Sequence, residues 1–198
     1  ELYRPKLKEG LNKFKLVMLG NLDPGIQIDI LSHIENDDKF VILDTMNYWI
    51  DNTEKKLFEI ISKVNLIVIN DEESKMIAKS DSLQKCAEHI INCGPEYVII
   101  KKGSKGAELF SKQKQSIIPA FNIKNVIDPT GAGDTFVGGI CGYLNSRPKI
   151  DFVELHNSMI YGTVIASFCI EEFGLAGLQK LNKKNIESRI KTFNKYLL

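Results

Sequence analysis

Short apolar runs rich in β-branched residues alternate, in the first half of the chain, with stretches whose apolar residues recur every three or four positions. Each run has the length of a buried strand, and each intervening stretch is long enough for an amphipathic helix. Strands that alternate with helices indicate a parallel sheet covered by helices. The predicted strands are 16–19, 40–43, 66–69 and 97–100, and the predicted helices between them are 26–34, 57–64 and 83–91.

The second half of the chain has a different pattern. Two apolar runs, 107–110 and 115–118, flank a polar turn at 112–114, which indicates an antiparallel hairpin at a sheet edge. Beyond it, the pattern predicts helices at 132–144, 152–170 and 185–197. We find no internal repeat, low-complexity segment or linker, so the sequence predicts one domain over residues 1–198.

The composition excludes several classes of protein. With 43% hydrophobic residues and 26 Lys and Arg against 25 Asp and Glu, the chain is too apolar and too neutral for disorder. It also lacks the positive field that favours nucleic acid or a membrane surface, which leaves a small molecule as the expected partner. Without a membrane span or a signal peptide, we expect a cytoplasmic protein. Its four cysteines show no CxxC pair, so we expect reduced thiols.

Polar or small residues follow each predicted strand of the parallel sheet. In open parallel sheets, ligands bind outside the carboxyl ends of the strands. We therefore expect phosphates, a metal ion and a hydroxyl substrate to gather there. The residues at these ends are Gly20, Asn21 and Asp23; Asp44, Thr45 and Asn47; Asn70, Asp71 and Glu73; and Lys101, Lys102 and Gly103.

A glycine-containing turn is the strongest local motif of the chain. Gly131 and Gly133 allow successive backbone N–H groups to converge, and the helix predicted from Ala132 adds its own unsatisfied donors, so the turn predicts an anion site. Asp134 places a carboxylate in the first helical turn, where it could accept the proton of a hydroxyl that attacks a phosphoryl group. The motif runs Asp128-Pro129-Thr130-Gly131-Ala132-Gly133-Asp134-Thr135-Phe136.

A purely structural role for this turn stays open, because the glycines could simply reverse the chain while Asp134 favours the helix dipole. A dinucleotide fingerprint fits poorly, since its third glycine would fall on Phe136. A Walker A loop is excluded because no Gly-Lys-Ser or Gly-Lys-Thr follows.

Asp128–Phe136 resembles the signature of the ribokinase-like (PfkB-type) carbohydrate kinases, Asp-Thr-x-Gly-Ala-Gly-Asp-x-Phe. Asn70-Asp71-Glu72-Glu73 resembles the family's Asn-x-x-Glu motif, Gly103–Gly106 its nucleotide loop, and 168–175 the segment that closes its nucleotide site. The resemblance implies an α/β fold, a three-layer α/β/α sandwich with a mostly parallel central sheet and an edge hairpin.

The resemblance also implies roles for individual residues. Asp134 would be the catalytic base, and Gly131, Ala132 and Gly133 would form the anion hole for the transferring phosphoryl group. Asn70 and Glu73 would act at the nucleotide phosphates and Mg²⁺, through water. The same Asn-x-x-Glu spacing is also a helix capping box, and both roles can hold together.

Further residues are implied at the nucleotide site. Gly103 and Gly106 belong to the nucleotide loop, Thr163 corresponds to an adenine-side position, and Gly174 lies in the closing segment. Lys101 stands where many members have threonine, and its ammonium group could still contact a phosphate. Asp128 and Thr130 match positions that bind a monovalent cation such as K⁺ in some members.

The implied function is transfer of the γ-phosphoryl group of ATP to a hydroxyl of a sugar or sugar-like molecule. A nucleoside kinase, a non-catalytic nucleotide-binding module and a dinucleotide oxidoreductase domain are the alternatives. The oligomeric state is left open, with a homodimer as one candidate. The resemblance begins near the family's middle and the chain starts at Glu1. We therefore expect residues 1–198 to be the nucleotide-binding, catalytic portion, without the N-terminal strands and lid.

Overall fold

The computed structural model describes residues 5–7 and 10–197. Six strands form one sheet whose spatial order follows the chain order. The first strand pairs in parallel with the second, and the second with the third. The strands are β1 (Leu16–Leu19), β2 (Phe40–Leu43), β3 (Leu66–Asn70), β4 (Tyr97–Lys101), β5 (Ala107–Phe110) and β6 (Gln115–Ile118).

Helices connect the first four strands and make up most of the chain after β6. All the predicted helices are present, with bounds that differ from the prediction by up to three residues. The helices are α1 (Pro24–Ser32), α2 (Asn47–Asn52), α3 (Glu54–Ile61), α4 (Asp71–Ala78), α5 (Leu83–Asn92), α6 (Ala132–Leu144), α7 (Phe152–Cys169), α8 (Ala176–Gln179) and α9 (Lys183–Leu197). Short 3₁₀ turns occur at Leu11–Lys13 and Gly103–Lys105.

Contacts divide the chain into two compact units. Unit 1 comprises the residues up to 100 together with 110–114, and unit 2 comprises 101–109 and the residues from 115 onward. In unit 1, Leu57, Ile60 and Ile90 on the helices pack with strand residues such as Ile67 in one apolar core. The side chains of β3 from Leu66 to Ile69 have no exposed surface, so this strand is covered on both faces, as in buried parallel sheets.

The predicted hairpin is confirmed. β5 and β6 are neighbours in the sheet, and the Ser111 N–H donates to the Lys114 carbonyl at 2.8 Å across the turn that joins them. Together with the helices, the mostly parallel sheet confirms the predicted α/β class.

At two glycines in unit 2, the backbones of α6 and α7 contact each other directly, with no side chain between them. A Cβ atom on Gly139 would lie 2.7 Å from the Gly162 Cα, and one on Gly162 would lie 2.6 Å from the Phe136 carbonyl oxygen. Only glycine allows so close an approach, because real Cβ atoms essentially never come within 3.0 Å of such atoms. This contact holds the middle of α6 against α7.

Candidate active site

The turn before α6 has the geometry of an anion site. Gly131 adopts the left-handed conformation, with φ 77°, and α6 begins at the next residue. The Ala132 N–H donates to the Pro129 carbonyl, and the Thr135 N–H donates to the Gly131 carbonyl. In the described part of the chain, the N–H groups of Gly133 and Asp134 have no protein acceptor. Two donors at the positive end of a helix dipole therefore remain for an anion.

A lysine ammonium group lies beside this turn. Lys101 is the last residue of β4, and its Nζ is 3.5 Å from the position that a Cβ on Gly133 would occupy. The backbone donors of the turn and a full positive charge thus act on the same volume, which strengthens the attraction for a phosphate group. Asp134, in the first turn of α6, is exposed and accessible to a substrate hydroxyl.

Asp128 braces the segment that leads into the turn. Its Oδ1 accepts the Thr130 N–H at 2.9 Å, and its Oδ2 accepts the Gly174 N–H at 3.5 Å. Hydrogen bonds from the backbone and side chain of Thr130 lower the pKa of Asp128 from its ordinary value, and the Gly174 N–H adds to this. The structure therefore brings Asp128, Thr130 and Gly174 together. A role in binding a monovalent cation stays a prediction.

A cavity of about 560 Å³ lies within unit 2, next to the turn. This volume is within the ~300–1,000 Å³ range of small-ligand sites. Its wall includes the loop after β4, the irregular segment after β6, the start of α6 and one face of α7. Of the predicted site residues, it brings together Lys101, Gly103, Gly106, Ala132, Gly133 and Thr163.

Two glycines shape the loop after β4. Gly106 has φ 88°, and a Cβ there would lie 2.0 Å from the Ile118 carbonyl oxygen, so this position requires glycine for backbone packing. Gly103 has φ 55° with no atom within 4 Å of a Cβ. The Gly106 end of the loop therefore packs against the backbone at the end of β6, whereas the Gly103 end has free space around it.

Asn70 and Glu73 lie in unit 1, where they form the capping box that their spacing predicts. Asn70 Oδ1 accepts the Glu73 N–H at 2.8 Å, and Glu73 Oε2 accepts the Asn70 N–H at 2.8 Å. Glu73 is buried. The capping role is confirmed, and a role at the nucleotide stays a prediction.

Within residues 5–7 and 10–197, no three His, Cys, Asp or Glu side chains cluster closely enough to hold a metal ion. Mg²⁺ commonly binds one or two carboxylates plus substrate phosphates and keeps several waters.

Other residues of the cavity wall were missed by the motif analysis. Phe121, Ile123 and Val126 come from the segment after β6, which has no helix or strand, and no short motif marks them. Ser167 lies four residues after Thr163 on α7. Helical spacing from Thr163 could have identified Ser167, since residues i and i+4 share a face.

The chain belongs to the PfkB family of carbohydrate kinases, because the model of the pfkB family carbohydrate kinase matches residues 15–181. A cytidine kinase from Thermococcus kodakarensis is 29% identical over 147 residues, which cover 71% of this chain and 52% of that protein. The chain spans only 38% of two other curated relatives that it matches, a Staphylococcus aureus ribokinase and a Methanocaldococcus jannaschii nucleoside kinase.

Solved structures confirm the ribokinase-like α/β fold. The aminoimidazole riboside kinase of Salmonella enterica, complexed with aminoimidazole riboside and an ATP analogue, has a TM-score of 0.75 at 17% identity over 88% of this chain and 62% of that chain. The fructokinase of Vibrio cholerae, bound to fructose, ADP and calcium, has a TM-score of 0.77 at 15% identity over 94% of this chain and 63% of that chain. Within the described ranges, no helix combines the length and apolar character needed to cross a membrane.

Proposed function

We propose that the protein is an ATP-dependent phosphotransferase that transfers the γ-phosphoryl group to a hydroxyl of a sugar or sugar-like molecule. The observation that carries this proposal is the turn at 131–134, where two unpartnered N–H groups, the nearby Lys101 ammonium and an exposed Asp134 carboxylate occur beside a cavity of about 560 Å³. Membership of a carbohydrate kinase family supports the same conclusion.

Each of these groups has a role in the proposed reaction. Phosphoryl transfer depends mainly on positioning and on stabilising the charge of the transferring group. The turn donors and Lys101 stabilise that charge. As the acceptor oxygen bonds to the γ-phosphorus, the bond to the β–γ bridging oxygen breaks, Asp134 takes the hydroxyl proton, and ADP leaves.

The cavity, which Gly103, Gly106 and Thr163 line, is proposed as the site of the nucleoside part of ATP. Relatives of the same fold that bind an ATP analogue or ADP support this. Gly174 is proposed to belong to the segment that closes this site. Mg²⁺ would supply charge neutralisation at the phosphates, with Asn70 and Glu73 acting there through water. Asp128 and Thr130 are also proposed as a site for a monovalent cation such as K⁺.

Residues 1–198 are proposed to form the nucleotide-binding and catalytic portion of a ribokinase-like kinase domain. The lengths of the curated relatives support this, because the matched chain spans 38–52% of them. A cytoplasmic location and a homodimer stay predictions.

The test compares Asp134→Asn with the wild type, both made in the natural protein, by ADP release in the presence of sugars and nucleosides. Loss of a general base lowers turnover by about 10²–10⁴-fold, while ATP binding by calorimetry should stay within about twofold because the turn donors remain. Asp38→Asn, at an exposed aspartate of unit 1, is the control and should leave both unchanged. Near-normal turnover by Asp134→Asn would contradict the assignment of the base.

The similarity to a cytidine kinase favours a nucleoside kinase as the second candidate. The same ADP-release screen separates the two, since the preferred acceptor is either a free sugar or a nucleoside. ATP binding without turnover on any acceptor would instead identify a non-catalytic nucleotide-binding module.

A further inference from the structure

One wall of the cavity depends on a segment without regular structure. Residues 119–129 form no helix or strand, and Phe121 within them lines the cavity. Two side chains of α9 contact the Phe121 ring. The Phe193 ring centroid lies 5.6 Å from it, and the Arg189 guanidinium carbon lies 5.2 Å from its centroid. The side chains of α9 therefore pack against this wall at Phe121, while further along the segment the Ile127 N–H donates to the Ile170 carbonyl at 2.8 Å.

Arg189 also contacts side chains of α7 and of the turn that follows it. Its guanidinium carbon lies 3.5 Å from the centroid of the Phe168 ring, and its Nη1 donates to Ser167 Oγ at 2.9 Å and to Glu171 Oε2 at 2.8 Å. Ser167 is buried and lines the cavity. Its hydroxyl donates to the Val164 carbonyl at 2.6 Å, so its single hydrogen is already used and Arg189 meets an oxygen lone pair.

One side chain outside the cavity lining therefore joins two residues of the lining, Phe121 and Ser167. The planar guanidinium suits this arrangement, since it can stack on aromatic rings while its N–H groups bond in its own plane. These interactions of Arg189 do not involve the turn at 131–134, whose phosphate donors belong to a different part of the wall.

We propose that Arg189 is a positioning residue for the nucleobase of ATP, acting through Phe121 and Ser167. This rests on the proposed function, because it assigns the Phe121 and Ser167 part of the cavity to the base and the turn beside Lys101 to the phosphates. Removing the guanidinium frees Phe121 from α7, so the base loses its ordered wall while the phosphate donors stay in place.

The test measures binding of ATP and of inorganic tripolyphosphate, which has phosphates but no base, by calorimetry. Arg189→Ala should weaken ATP binding roughly tenfold, since a tenfold change is ~1.4 kcal/mol, within the combined range of the cation–π interactions and hydrogen bonds that this variant removes. Its tripolyphosphate affinity should equal that of the wild type. Lys101→Met should weaken the binding of both ligands. Unchanged ATP affinity in Arg189→Ala, or equal losses for both ligands, would overturn the proposal.

A double-mutant cycle tests whether Arg189 acts through Phe121. If it does, Phe121→Ala alone and Phe121→Ala combined with Arg189→Ala weaken ATP binding to a similar extent. Fully additive losses would overturn that step. Arg189→Met, which keeps the aliphatic stem, replaces Arg189→Ala throughout if the alanine variant fails to fold.

Arg147→Ala is a matched control. Arg147 also stacks on an aromatic ring, 4.3 Å from the Tyr143 centroid, and pairs with Glu154, but none of these residues lines the cavity. Arg147→Ala should bind ATP with the affinity of the wild type. A tenfold loss of ATP affinity in Arg147→Ala would overturn the proposal, because it would show that removing an arginine–aromatic contact away from the cavity has the same effect. If the wild-type protein binds no ATP, the proposed function is contradicted. If the wild type binds ATP and Arg189→Ala binds it with the same affinity, only this inference is contradicted.

Discussion

Two adjacent glycines of α6 should respond to alanine with opposite changes in stability. A Cβ on Gly139 would lie 2.7 Å from the Gly162 Cα on α7, whereas a Cβ on Gly138 would have no atom within 4 Å. Both positions are inside the same helix, so both gain the same improvement in helix propensity. The difference between the two variants therefore isolates the cost of the close approach.

The expected loss of stability in Gly139→Ala follows from the steric overlap between its new Cβ and the Gly162 Cα. Carbon atoms prefer separations of about 3.5–4.0 Å, so α6 and α7 would have to move apart by roughly 1 Å. The atom that Cβ meets is backbone and cannot rotate away, which places the cost in the upper part of the ~1–3 kcal/mol range of overpacking. Alanine offsets about 1 kcal/mol of this through helix propensity. We expect Gly139→Ala to lose about 1–2 kcal/mol of unfolding free energy and Gly138→Ala to gain about 0.5–1 kcal/mol.

Urea denaturation followed by far-ultraviolet circular dichroism measures both changes. With a slope of about 2 kcal/mol per molar urea, the midpoints of the two variants should differ by roughly 1 M. Equal midpoints, or a more stable Gly139→Ala, would show that the two helices can separate at little cost and would refute the reasoning. Gly139→Ala should also weaken ATP binding more than Gly138→Ala, since it displaces α6 from the α7 face that carries Thr163.

Two further predictions concern side chains outside the turn. Asn70→Ala should lower the free energy of unfolding by about 1 kcal/mol in urea denaturation, because it removes the helix cap. Glu73→Gln keeps an acceptor oxygen for the Asn70 N–H and should lower Mg·ATP affinity, and an unchanged Mg·ATP affinity in this variant would contradict a role beyond the cap. Burial raises the pKa of the Cys141 thiol to about 11. It should therefore be protonated at pH 8, and mass spectrometry should show iodoacetamide labelling roughly 100-fold slower than for an ordinary thiol, with the rate rising towards pH 11; fast labelling at pH 8 would contradict the buried environment.

Strands were predicted more accurately than helices, for a physical reason. β2 has the predicted bounds because an apolar, β-branched run is required where a strand is buried. α2 was missed because it has six residues and no side-chain cap at its start. α1 begins two residues early, where the Asp23 carboxylate accepts the N–H groups of Gly25 and Ile26 and Pro24 occupies the first turn.

Local sequence predicted the turn at 131–134, because its donors, its left-handed glycine and its carboxylate are neighbours in the chain. The cavity wall could not be predicted in the same way. Phe121 and Ser167 are far apart in sequence and come together through a third residue, Arg189, on the last helix. No spacing rule connects three such segments, since only tertiary packing decides which faces meet.

α7 is the element that relates these parts of unit 2 to one another. Gly162 of α7 contacts α6, and Thr163 and Ser167 line the cavity. At the end of α7, the Cys169 thiol donates to the Thr130 carbonyl at 3.7 Å. Apart from Val153, every residue of α7 is buried or half-buried, so other parts of the protein cover this helix along its length. Because α7 contacts α6, the cavity and Thr130 next to the turn, we expect substitutions on its buried faces to alter nucleotide binding without touching a motif residue.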